Sequence, residues 1–181
     1  MAKTKYIIVM KGLPGSGKSF LAKKILDEAT ENGLTCRIHA TDDQFMEGGV
    51  YKFSTSKFPA AHNANIKLAR ASAEEGIEII VIDNINLTSG EIRPYAEIAK
   101  EFDYIVRFME PKTKWANDIE ELKKKNVHGV PQESYDRMLK RYQRTDVIGI
   151  KLSELLGMEY DIVTQSLFND CPRVPKSKSK V

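Results

Sequence analysis

One stretch restricts this chain more than any other: Gly12-Leu13-Pro14-Gly15-Ser16-Gly17-Lys18-Ser19. It follows directly on the apolar run Tyr6-Ile7-Ile8-Val9-Met10, which reads as a strand buried on both faces. It leads straight into residues 18–31, where Leu21, Ile25, Leu26 and Ala29 share one face of a helix that Gly33 ends. Strand, glycine-rich loop and helix form the context in which G-x-x-x-x-G-K-[ST] cradles phosphate. The glycines let backbone N–H groups wrap an anion, and the helix N-terminus adds its positive end. Lys18 is expected to reach the β- and γ-phosphates of ATP or another nucleoside triphosphate, and the Ser19 hydroxyl to ligate Mg2+. The nucleotide-binding set read from the loop is Gly12, Pro14, Gly15, Ser16, Gly17, Lys18, Ser19 and Phe20. A glycine-rich turn with no ligand is the alternative.

Strand and helix patterns alternate beyond the loop. Residues 35–40 read as a second strand, 41–58 as a polar irregular segment over the active site, and 59–75 as a helix. Residues 77–82 are a third buried strand, and Thr88-x-x-Glu91 is a capping box opening a helix to Phe102. Residues 104–109 form a fourth strand, and Trp115, Ile119 and Leu122 form a helical stripe. Pro131 opens a helix to Gln143, followed by a short helix at 153–156 and an edge strand near Ile162. The expected fold is therefore α/β: a parallel sheet of four to five strands with helices on both faces and a helical lid, the P-loop NTPase fold. Residues 1–170 read as a single P-loop kinase domain and 171–181 as a basic, disordered tail.

With 181 residues, 41% of them hydrophobic, one core is within reach. No apolar run approaches the about 20 residues of a membrane span, and no signal-peptide cleavage pattern follows Met1, so a cytoplasmic location without membrane contact is expected. Cys36 and Cys171 make neither a disulfide framework nor a metal set, and Cys36 reads as a small core residue. A net charge of +3 permits a polyanionic substrate without arguing for one.

In such a sheet, ligands gather at the carboxyl ends of the strands, which brings Lys18, Asp42 and Asp83 to one edge. Asp83 closes Ile79-Ile80-Val81-Ile82 in the Walker B layout, holding magnesium directly or through water; a helix-cap or turn aspartate is the alternative. Asp42 and Asp43 close the second strand, taken as the neighbour of the P-loop strand, where a carboxylate can accept a proton from an attacking hydroxyl. On an extended segment, Asp43 would point the opposite way from Asp42. Two turn aspartates are the alternative. No Asn/Thr-Lys-x-Asp base reader of a switch GTPase occurs.

Residues 121–131 carry Lys123-Lys124-Lys125 between two helical patterns, as a basic lid over the nucleotide or as a solvated helix end. Arg137, Arg141 and Arg144 share one helical face, which could meet a nucleotide, a nucleic-acid backbone or solvent.

Four blocks in order then carry a resemblance: Gly12 to Ser19, Thr41-Asp42-Asp43, Ile82-Asp83-Asn84-Ile85-Asn86-Leu87, and Lys124-Lys125-Asn126-Val127-His128-Gly129-Val130. Together with Ala61-His62-x-x-Asn65 they resemble the polynucleotide-kinase-like group of P-loop kinases. The resemblance implies Lys18 and Ser19 on phosphate and magnesium, and Asp42 as the general base for a 5′-hydroxyl. It implies Asn84 and Asn86 in a polar loop near the acceptor, and Lys124 and Lys125 in the lid, where the group usually carries arginine. Where the group has an arginine after its base, this chain has Gln44-Phe45-Met46, and its Asp-Asn-Thr-Asn reads Asp83-Asn84-Ile85-Asn86. The catalytic set is thus Lys18, Asp42, Lys124 and Lys125, with Ser19 and Asp83 for metal. The expected activity is ATP-dependent transfer of the γ-phosphate to the 5′-OH of RNA or DNA. A nucleoside, a hydroxymethylated base in DNA, or a nucleotide-binding module with slow hydrolysis are the alternatives.

Overall fold

The computed structural model describes residues 3–163 and 173–174. In chain order the elements are β1 (Tyr6–Met10), α1 (Lys18–Glu31), β2 (Cys36–His39), β3 (Met46–Glu47), β4 (Val50–Tyr51), α2 (Phe58–Glu74) and β5 (Ile79–Ile82). They continue as α3 (Ser89–Glu101), β6 (Ile105–Met109), α4 (Ile119–Lys125), α5 (Gln132–Arg141), α6 (Thr145–Leu156), β7 (Tyr160–Val163) and β8 (Arg173–Val174). The segment read as irregular is built from two short 3₁₀ turns, Thr41–Phe45 and Thr55–Lys57, around the β3–β4 hairpin.

The main sheet runs β2-β5-β1-β6-β7-β8. Its first five strands are parallel and β8 joins β7 antiparallel. This is the α/β P-loop NTPase fold expected from the sequence. Residues 171–181, read as a tail, lie outside the described residues except for Arg173–Val174. No helix among the described residues is long and apolar enough to cross a membrane.

Successive residues of β1 feed two separate cores. Ile7 and Val9 pack with α2, α3 and α6 through Ala69, Tyr95, Ile148 and their neighbours. Ile8 and Met10 pack with α1 through Ala22, Ile25 and Ala29. Cys36 joins that second core half-buried, and burial pushes its thiol up to about 11. A third, smaller cluster (Leu13, Leu87, Leu122, Tyr135) fastens α4 and α5 over the loop after β1.

Three expectations change. The strand near Ile162, β7, is not at the sheet edge, because β8 pairs beyond it. The second strand is not the neighbour of β1, because β5 lies between them. All four residues of β5 are apolar and buried, which suits a central place, whereas β2 carries Arg37 and His39 and tolerates the edge. The last helix is also longer than 153–156, spanning Thr145–Leu156. Gly149 disguises it, since glycine is a poor helix former. The residue is there for space: a Cβ on Gly149 would fall 2.0 Å from Tyr160 Cζ. That ring packs edge-on to Phe108 and donates its hydroxyl to Asp146 O.

The Gly149→Ala variant is therefore expected to lose stability by about 1–3 kcal/mol, as overpacked cores do, outweighing the gain of roughly 1 kcal/mol in helix propensity. Denaturant unfolding reads this directly, and a stabilised variant would show that the helix and ring are not in contact.

Candidate active site

The loop between β1 and α1 is shaped by its carbonyls. Tyr135 Oη donates to Pro14 O at 3.0 Å, Trp115 Nε1 to Gly15 O at 3.1 Å, and Thr113 Oγ1 to Ser16 O at 3.0 Å. These three bonds hold successive carbonyls of the loop in place, and within the loop Ser16 N donates to Leu13 O at 3.1 Å. Gly15 has φ +84° and packs so closely against the lid that an added Cβ would lie 2.4 Å from Leu122 O. The Ser16 hydroxyl is buried and has no hydrogen-bond partner. Lys18 Nζ donates to Leu13 O at 3.1 Å. Burial lowers the Lys18 pKa, and Asp83 and Asp42 oppose that shift, so the three residues share one electrostatic field. Phe20, in the first turn of α1, is exposed.

Ser19 Oγ donates to Asp83 Oδ2 at 2.8 Å. The other oxygen, Asp83 Oδ1, is buried without a partner. Burial raises the Asp83 pKa; the Ser19 hydrogen bond and Lys18 counter this, and Asp42 and Asp43 add to it. A hydroxyl and an unsatisfied carboxylate oxygen fit magnesium, which takes one or two protein oxygens and fills its shell with phosphate and water. Among the described residues no group of three His, Cys, Asp or Glu gathers to cage a metal.

Asp42 and Asp43 both lie near Asp83, but not on an extended segment. They sit in the 3₁₀ turn Thr41–Phe45, so the expected opposite orientation does not apply. Asn84 Oδ1 accepts Thr41 N at 2.8 Å, tying the start of that turn to the end of β5. Tyr95 Oη, in turn, accepts from Asn84 Nδ2 at 3.2 Å and from buried Asn65 Nδ2 at 2.9 Å. Asp42 itself is exposed, and Tyr51 Oη donates to its Oδ1 at 3.1 Å. Burial first, and then the Asp42 carboxylate, push the Tyr51 phenol above its ordinary range and keep it a donor. The Tyr51 ring also lies 4.1 Å from the His128 ring, joining the hairpin to the lid. Asn86 packs inside the fold. It is buried at φ +53°, and its amide donates to Met10 O at 2.6 Å, stitching the ends of β1 and β5 together.

The lid lysines separate. Lys125 Nζ lies 4.1 Å from the ring centroid of Trp115, the residue that holds Gly15 O. Lys124 Nζ instead pairs with Glu121 at 2.7 Å on the same helix. The arginine face is also broken, because α5 ends at Arg141 and Arg144 caps α6. Arg141 pairs with Glu91 and Arg144 with Asp146. Tyr142 causes the break: its extended backbone lays its ring 3.5 Å from Lys11 Nζ.

Sequence reasoning missed Tyr51, Tyr135 and Lys11. Lys11 is fully buried at the root of the loop, 3.3 Å from Glu110, and burial lowers its pKa. Only its position, one residue before Gly12 at the end of a central strand, could have marked it as enclosed.

Residues 7–145 match the family described as AAA domain. Human NEDD4-binding protein 2 is 40% identical over 155 residues, covering 83% of this chain, which spans only 8% of that protein's length. Among solved structures, the Pnkp1/Rnl/Hen1 RNA repair complex superposes with a TM-score of 0.60 at 14% identity, covering 99% of this chain and 51% of the other. Kti12 of Chaetomium thermophilum, in complex with ADP-AlF3, superposes at 0.57 and 13% identity, covering 91% and 90%. These two likenesses establish the fold.

The two lid lysines differ in their contacts, Lys125 over Trp115 and Lys124 on Glu121. Lys125→Ala is expected to slow phosphate transfer or hydrolysis by about 10²-fold, the scale of one lost charge-stabilising donor, whereas Lys124→Ala should leave it within about twofold. Steady-state turnover on both variants checks this, and equal losses would mean that the lid rearranges to engage both.

Proposed function

The chain belongs to the AAA domain family, and from that footing we propose that it is an ATP- and magnesium-dependent phosphotransferase whose acceptor is the 5′-hydroxyl of RNA or DNA. One observation carries the reading. Of the five buried side-chain oxygens without partners among the described residues, two, Ser16 Oγ in the loop and Asp83 Oδ1 at the end of β5, accompany Lys18 and Ser19, with Asp42 close enough to share their field. A buried polar atom without a partner costs about 1–3 kcal/mol, so a binding site accounts for such a pair better than a structural role does.

The triphosphate lies along the loop amides, with the Ser16 hydroxyl and Lys18 on its oxygens. Magnesium, held by Ser19 and Asp83, supplies charge neutralisation on the β- and γ-phosphates when bound. The acceptor oxygen attacks the γ-phosphorus, the bond from that phosphorus to the β–γ bridging oxygen breaks, and ADP leaves. Asp42 takes the hydroxyl proton, with Tyr51 fixing one carboxylate oxygen so that the other faces the acceptor. Lys125 approaches the charge growing on the transferred group.

Support for ATP comes from the Kti12 structure, which holds ADP-AlF3. Support for a nucleic-acid acceptor comes from the similar fold within an RNA repair complex and from the ordered blocks of the polynucleotide-kinase-like pattern.

The test is transfer of labelled γ-phosphate from ATP to a panel of acceptors: 5′-OH RNA, 5′-OH DNA, hydroxymethylated duplex and free nucleosides. Label on a 5′-OH oligonucleotide is expected, and Asp42→Asn should lower that transfer by about 10² to 10⁴-fold while ATP affinity barely changes. Since Asp42 and Asp43 share one turn, Asp43→Asn is the necessary comparison and should matter less, because the Tyr51 hydroxyl positions the Asp42 carboxylate. Label on nucleosides alone would make the protein a small-molecule kinase. ATP hydrolysis indifferent to every acceptor would make it a nucleotide-binding module.

A further inference from the structure

Two residues past Asp42 begins a groove that the reaction does not use. It is lined by Gln44 and Phe45 from the 3₁₀ turn, Glu47 and Lys52 from the hairpin region, Lys57, and Ala60, Ala61 and Ala64 of α2, and its volume is about 290 Å³. The three alanines form one patch near the start of α2. Any longer side chain there would fill the floor.

Charge and aromatic rings occur together at this groove. Glu47 holds two ammonium groups on opposite oxygens, Lys52 at 3.1 Å from Oε2 and Lys57 at 3.9 Å from Oε1. One carboxylate cannot neutralise both lysines, so the rim stays positive. Both lysine side chains are largely exposed, 59% and 71%. Beside them stands a group of three phenylalanines. Buried Phe45 anchors Phe53 at 5.1 Å and Phe58 at 6.4 Å between ring centroids. The outer two rings remain open to solvent, at 53% and 42% exposed. An acidic peptide would use the lysines and leave the open rings unexplained, while an apolar partner would leave the lysines unexplained. Phosphates alternating with flat bases use both.

We propose that this groove is a track for single-stranded nucleic acid, holding the nucleotides that follow the 5′ end presented at Asp42. It rests on the 5′-hydroxyl kinase reading for its direction along the strand. Lys52 and Lys57 contact phosphates, and Phe53 and Phe58 offer faces on which bases stack whatever their sequence, as in other single-strand binders. The track makes affinity depend on acceptor length, since an acceptor too short to reach Lys57 has nothing to gain from it.

The test is fluorescence anisotropy of the full chain with labelled single-stranded RNA and DNA of about 12 nucleotides, a length within single-strand site sizes. Transfer to a 5′-OH dinucleotide and to the longer strand is measured in parallel. The Lys52→Ala/Lys57→Ala double variant should weaken binding and lower the slope of log affinity against log salt by roughly 1.4, about 0.7 per phosphate contact. Phe53→Ala should weaken binding about tenfold or more, with little change in that slope. Transfer to the dinucleotide should be unchanged in both. Should Phe53→Ala unfold, the lysine double variant carries the test, since both residues lie at the surface. Unaltered affinity in folded variants overturns the track even if transfer to 5′ ends is robust, and so does tighter binding of polyglutamate than of the oligonucleotide. Weakened binding without transfer to any 5′-OH acceptor keeps the track and removes the kinase reading.

Discussion

Everything else at the site depends on the capture of three carbonyls. Pro14, Gly15 and Ser16 each give a carbonyl to a side-chain donor from beyond the P-loop: Tyr135, Trp115 and Thr113. A loop of glycines has many conformations, and ordering it costs about 1–2 kcal/mol per residue in backbone entropy. Here that cost is met during folding, by Tyr135 of α5 and by Thr113 and Trp115 from the segment between β6 and α4, and not by the ligand. Asn126 extends the arrangement: it donates to Tyr135 Oη at 3.0 Å and accepts His128 N at 2.6 Å, so the lid turn and the loop share one hydrogen-bonded chain.

The sheet then determines which acids reach that loop. Because β5 is adjacent to β1, Asp83 arrives within 2.8 Å of Ser19. Because β2 lies beyond β5, its acids reach the site through the turn after the strand, a turn held to the end of β5 by Asn84. Tyr51 closes the arrangement from outside, bound to Asp42 by its hydroxyl and in contact with His128 by its ring. The hairpin and the lid turn therefore meet beside Asp42.

The elements with local signals were legible in the sequence. β1, the loop and α1 follow from periodicity and glycine spacing. The Thr88 cap forms as read, its Oγ1 accepting Glu91 N, while Glu91 Oε2 accepts from Leu87 N, one residue before the cap. What depends on tertiary contact was not legible. Asn86 reads like any polar loop residue, yet it is buried as a backbone clip. Lys11 reads as an ordinary surface cation, yet its charge is enclosed by Glu110 and Tyr142. Gly149 looks like a break and is a packing requirement, and the strand order follows from which strands can be apolar on both faces. Tyr51 had no signal at all, because it meets Asp42 only once a two-residue hairpin folds back.

The central claim is that the lid holds the loop ready for the triphosphate. Tyr135→Phe tests it most directly, since the change removes one hydroxyl from a fully buried ring and leaves the packing in place. Calorimetric titration of the wild-type and variant proteins with ATP and magnesium should show the wild type binding and the folded variant binding about tenfold more weakly, the scale of one buried hydrogen bond lost from the loop. Equal affinities in two folded proteins would contradict the account, because the loop would then keep its shape without the lid.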